Sequence, residues 1–161
     1  MVIDSLEFAR QHGTLSGRLE LRQFPRLAGA LFDANCSLDF TVAGEASAKA
    51  VGEEAFLSLK VDGMLFLICQ RCLGALEYPV RIRSRLALVK PGFPWPDEML
   101  EDDAGDAIEA ARALDILPLL EEEILLSLPI APRHDGCATP GNFSATEEAS
   151  PFAKLAKLKR N

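Results

Sequence analysis

Three stretches of this chain alternate with a period of two, and that alternation constrains the fold more than any single motif. In residues 14–22, Leu15, Gly17, Leu19 and Leu21 fall on one side, with Ser16, Arg18, Glu20 and Arg22 on the other. In "CSLDFTVAGEASA", Leu38, Phe40 and Val42 alternate with Asp39 and Thr41. In "YPVRIRSRLALV", Val80, Ile82 and Leu86 oppose Arg81, Arg83 and Arg85. Successive side chains of a strand point to opposite faces, so each stretch predicts a strand with one buried and one solvated face. Strands of that kind assemble antiparallel. Asp62–Gly63 lies between two apolar runs in "AFLSLKVDGMLFLIC" and predicts a tight hairpin turn, because glycine tolerates positive φ. The expected fold is α+β, with an antiparallel sheet of about four or five strands.

Two helices are expected to accompany the sheet. "DSLEFARQ" offers an Asp-Ser cap followed by Leu6, Phe8 and Ala9 at helical spacing, with Gly13 just beyond. "LDILPLLEEEILLSLP" offers Asp115 as a cap and Pro118 in the first turn, with Leu117, Leu120, Ile124, Leu125 and Leu128 on one broad apolar face. Pro129 ends it, and that face should pack on the sheet. Pro25 and Gly29 only interrupt the strand pattern.

A chain of 161 residues with 48% apolar content can bury one core. Residues 1–137 are therefore expected to form a single domain, with 97–113 an acidic linker inside it and a short helical turn near 107–113. Residues 138–161 are expected to be a flexible tail ending in a short basic amphipathic terminus. There Phe152, Leu155 and Leu158 are spaced i, i+3, i+6 among Lys154, Lys157, Lys159 and Arg160.

The net charge of −7 is unevenly spread: acids crowd 97–124, where Arg112 is the only base. No uncharged apolar run reaches the ~18 residues of a membrane span. The opening "MVIDSLEFARQHG" carries acids where a signal peptide has bases, so a cytoplasmic protein without membrane contact is expected. Four cysteines are too few for a disulfide scaffold and would be thiols or metal ligands in a reducing compartment.

Two of those cysteines form "CQRC", Cys69 and Cys72, and a third forms "HDGC" with His134. Each pair has the two-residue spacing that lets both side chains reach one tetrahedral metal. Cys69, Cys72, His134 and Cys137 together make a complete structural zinc set. The long chain between the halves means that the fold would have to assemble the site. Two other readings stay open: small apolar cysteines with a loop histidine, or a CxxC redox pair, although the flanking strands lack the usual redox context. Cys36 is read as core.

Four protein ligands close the coordination shell, and a catalytic zinc needs an open position. His12 sits by a glycine at a helix end, the serines have no visible His–Asp partners, and no glycine-rich phosphate loop follows a strand. No enzyme and no small-molecule substrate is expected. Arg81, Arg83 and Arg85 would project ~6.6 Å apart on one strand face, a spacing suited to nucleic-acid phosphates. An ordinary solvated face, or one that docks the chain's own acidic segment, is the alternative, since no aromatics interleave to stack on bases.

The combination of CQRC in a β-rich region, an acidic stretch, "EEEILLSLPIAPRH" leading to a cysteine, and a closing "PFAKLAKLKR" resembles the YceD family. These are the large ribosomal RNA subunit accumulation proteins, with similar plastid relatives. The likeness is strongest over 66–88, 114–137 and 151–160. It implies a role in synthesis, processing or stability of 23S rRNA, with no established catalytic activity. The partner would then be 23S rRNA or a large-subunit assembly intermediate, reached through the arginine row and the basic tail. An adaptor docking a basic ribosomal or assembly protein through its acidic segment and apolar helix is the alternative.

Overall fold

The alternating stretches are strands, and the longest, β5 (Gly52–Ile68), is the spine of the molecule. The structure is a computed structural model and describes residues 1–49, 52–93 and 106–137. Along one side of β5 runs β6 (Ala75–Val89), antiparallel, in register from Phe56↔Ala87 to Ile68↔Ala75. Along the other side, β4 (Ser37–Lys49) pairs from Lys49↔Gly52 to Leu38↔Gly63, after which β3 (Leu31–Asp33) takes over at Leu31↔Leu67. β2 (Thr14–Glu20) lies outside β4, and β7 (Ala107–Glu109) lies outside β6. A separate two-stranded ladder joins β1 (Val2–Ile3) to β8 (Leu114–Asp115).

Among the described residues the main sheet has six strands, more than expected, and it is mixed rather than purely antiparallel. The added strands are short. β3 follows the Pro25–Gly29 interruption, which holds a short helix, α2 (Pro25–Ala28). β7 stands where a helical turn was expected, and pairs parallel to β6 with Ala87↔Ala107. The backbone explains this correction: Ala87 donates to the Asp106 carbonyl (2.9 Å) and Ala110 to Val89 (2.7 Å), so the edge of β6 satisfies groups that a single helical turn would leave unpaired. The end of the expected acidic linker is thus part of the sheet, while 97–105 and the tail 138–161 lie outside the described residues.

The Asp62–Gly63 turn is also corrected, because β5 runs straight through it. Leu57, Leu59, Val61, Leu65 and Leu67 keep one parity across the dipeptide and are all buried on the same face. A turn at 62–63 would have split that face. Gly63 is needed for another reason. Its φ is +155°, and a Cβ there would stand 2.6 Å from Leu38 Cδ2, where β4 ends its pairing and crosses close to β5. The chain reverses instead between Lys49 and Gly52, and again over 69–74.

Among the described residues three α-helices cover the buried face. In α1 (Ser5–Arg10) the Asp4 carboxylate caps the helix by accepting from Glu7 N at 3.1 Å. α1 rests on β4 at Gly44, where a Cβ would come within 2.5 Å of the Phe8 carbonyl, so only glycine lets the helix lie this close. In α3 (Ile116–Ser127) Asp115 is the cap, and it accepts from Leu117 N. Ile116, Leu120 and Ile124 are fully buried, whereas Leu117, Leu125 and Leu128 are half-buried. Each fully buried side chain of this size contributes ~1.5–3 kcal/mol over its exposed state.

The buried stripe of α3 is rotated from the expected one because two glutamates share it. Glu121 accepts from Arg26 N at 3.0 Å, which supplies α2 with the cap that Phe24 cannot give. Glu123 accepts from the Ser84 hydroxyl on the inner face of β6.

Candidate metal centre

The second chain reversal builds one half of a metal-binding cluster. β5 ends on Ile68, and Cys69 donates its N–H to the Gly74 carbonyl while accepting at its own carbonyl from Leu73 N, both at 2.9 Å. This tight loop puts Leu73 at φ +58°, an unusual conformation for a branched residue. Cys69 points inward and is fully buried; Cys72 is half-buried on the same loop. The other half comes from the stretch after α3, which Pro129 turns away from the helix axis. Gln70 N donates to the Pro132 carbonyl at 2.8 Å and clamps that stretch against the loop.

His134 and Cys137 arrive beside the cysteine loop in this way. Cys69 Sγ lies 3.6 Å from Cys137 Sγ, and Cys72 Sγ lies 3.4 Å from His134 Nδ1. One donor atom from each of the four residues lies within 4.8 Å of all the others, and the group could hold a metal ion. The sulfur separation is far beyond a disulfide bond of ~2.05 Å, and all four cysteines are free thiols.

The hydrogen bonds of the histidine fix its chemistry. Nε2 sits 2.9 Å from the Ala75 carbonyl, which can only accept, so Nε2 carries the proton. In the neutral ring Nδ1 is then a bare lone pair directed at the sulfurs, the state that a metal ligand requires. Burial alone would push the Cys69 thiol up. The backbone N–H groups of Cys72, Arg71 and His134 outweigh it and bring the group down to about 5. Cys137 is pushed up, first by burial and then by the neighbouring cysteines. Cys36 stands apart: half-buried against the core, it donates to the Asp33 carbonyl at 3.3 Å.

The arginine row lies on the outer face of β6, as the alternation predicts, and all three residues are exposed. Two of them are already engaged. Arg83 pairs with Asp62 across the strands at 2.8 Å; Arg85 reaches Glu45 at 3.4 Å and lies 3.6 Å over the Phe56 ring. Among the described residues only Arg81 of the row has no ion pair. Lys154, Lys157, Lys159 and Arg160 lie outside the described residues.

No residue type marks the Ala75 carbonyl or the Gln70–Pro132 clamp in the sequence, because both are backbone contacts. Arg71 and Arg133 stand one in each half of the cluster. The apolar face of α3 packs on the core, leaving Leu126 within the helix and Ile130 beyond it as exposed large apolar side chains. Among the described residues no helix is long and apolar enough to cross a membrane.

No solved structure matches the chain. Residues 57–159, which contain both halves of the cluster and more than half of the chain, match the family model described as "Large ribosomal RNA subunit accumulation protein YceD", and the chain belongs to that family.

Proposed function

We propose that this protein is a non-enzymatic factor in the synthesis, processing or stability of 23S rRNA, acting on the RNA or on a large-subunit assembly intermediate. The family match carries this reading. The cluster supports its non-catalytic part. Three sulfurs and one imidazole nitrogen are a zinc-type donor set. Zinc bound at ~2.3 Å to each sulfur implies tetrahedral edges of ~3.8 Å, close to the 3.6 Å and 3.4 Å separations of the paired donors. Cys69, Cys72, His134 and Cys137 would hold the ion with no position left for substrate. Zinc there would tie the stretch after α3 to the β5–β6 loop. The adaptor alternative is less supported, since Ile116, Leu120 and Ile124 are buried in the core and not free for a partner.

Depletion of the protein from growing cells, followed by measurement of the 23S to 16S rRNA ratio, tests the function. A fall in the ratio, with large-subunit precursors accumulating, is expected. An unchanged ratio after complete depletion would overturn the proposal.

A further inference from the structure

The arginine row is the obvious basic feature of the sequence, but the structure directs attention to the metal centre. Arg71 stands between the two cysteines of the first loop, and Arg133 immediately precedes His134. Both are exposed, and among the described residues neither guanidinium has an ion pair or hydrogen bond. The two belong to segments far apart in the chain, brought together by the cluster and the Gln70–Pro132 clamp. Together with Gln70 and Ala131 they line an open cleft of about 330 Å³. Asp135 is the only acid in the two segments, 69–74 and 131–137.

We infer that this cleft is an RNA-backbone contact, in which Arg71 and Arg133 grip phosphates of an unpaired stretch of ribosomal RNA. The inference rests on the proposed role in 23S rRNA accumulation and adds where the RNA is held. A guanidinium presents a planar fork of donors that fits a phosphate, and one free of carboxylate partners need not break an ion pair to bind it. That distinguishes these two residues from Arg83 and Arg85, which would have to leave Asp62 and Glu45. The cleft is open, so it suits a chain passing across it rather than an enclosed metabolite. Its lining residues include no aromatic, so the contact is with phosphate and not through base stacking. Leu73, which is 62% exposed, lies in the first segment and the fully exposed Ile130 immediately precedes the second, and both add apolar surface without sequence preference.

The test is binding of the intact, metal-loaded chain to a 23S rRNA transcript and to a labelled single-stranded oligouridylate, at several salt concentrations. The R71A/R133A variant should retain its metal, lose about tenfold in affinity for both probes, and show a salt slope smaller by about 1.4, as two lost phosphate contacts to a single strand require. R71K/R133K, which keeps the charges, should recover most of the affinity. R81A should lose less than R71A/R133A. If R71A/R133A binds both probes as the intact chain does, the cleft is not the contact, while the role in 23S rRNA accumulation stands. If the intact chain binds neither probe but binds a large-subunit protein, the cleft proposal is overturned in favour of a protein partner. The depletion experiment then decides the function separately.

Discussion

The two stretches that follow β7 are attached to the sheet by different physics. α3 is held by burial, with Ile116, Leu120 and Ile124 fully enclosed and Glu121 and Glu123 bonded to Arg26 N and Ser84. The stretch 129–137 contains no fully buried residue. Its placement rests on the Gln70–Pro132 bond, the His134–Ala75 bond and the four-donor cluster. Burial and the hydrogen bonds of two buried glutamates therefore position the helix, whereas the segment carrying Arg133 needs a cross-link of another kind. A bound metal is such a link, and its free energy of binding becomes free energy of local order.

The sharpest way to break this contrast is to remove the metal or one of its ligands. Stripping with a chelator, or Cys72→Ser, should raise hydrogen exchange at Gln70 and Leu73 by at least about a hundredfold, while the amides of α3 keep their protection. Equal loss in both regions would mean that the cluster supports the whole fold and that the contrast is false. Leu120→Ala tests the other side. It should cost ~2–5 kcal/mol of global stability in denaturant titration yet leave metal content unchanged. Loss of metal at full occupancy of the folded state would show that the helix and the cluster are one unit.

Smaller effects are expected from two neighbouring positions in the middle of β5, one against the buried face and one on the outer face. Gly63→Ala should cost ~1–3 kcal/mol, because its Cβ would press on Leu38 where β4 and β5 draw together. Asp62→Ala removes the partner of Arg83, but both side chains are half exposed, so the cost should be at most ~1 kcal/mol. A larger loss from Asp62→Ala than from Gly63→Ala would reverse that ranking and give the ion pairs of the outer face a structural weight that their exposure does not predict.

The same contrast explains what could be read without the structure. The alternation at Leu15–Leu21, Leu38–Val42 and Val80–Leu86 placed β2, β4 and β6, because burial on one face leaves a period-two imprint. Asp115 marked the start of α3 because a cap is a local device. β3 and β7 left no such imprint: each has three residues, and the pairing comes from the edge that each meets. Asp62–Gly63 is not a turn because the turn preference of one dipeptide is weaker than the continuous parity of Leu57 through Leu67. That Cys69, Cys72, His134 and Cys137 come together was legible from spacing alone, since a metal site would fix both residue type and separation. The surroundings of the cluster were not, because a carbonyl such as that of Ala75 is present at every residue and only the fold selects one.

Whether one zinc ion joins the two halves of the cluster is decided by X-ray absorption on the protein purified from zinc-replete cells. One zinc per chain is expected, with three sulfurs at ~2.3 Å and one nitrogen at ~2.0–2.1 Å. A folded protein without metal, or zinc bound through oxygen ligands with Cys69 and Cys137 free, would contradict it.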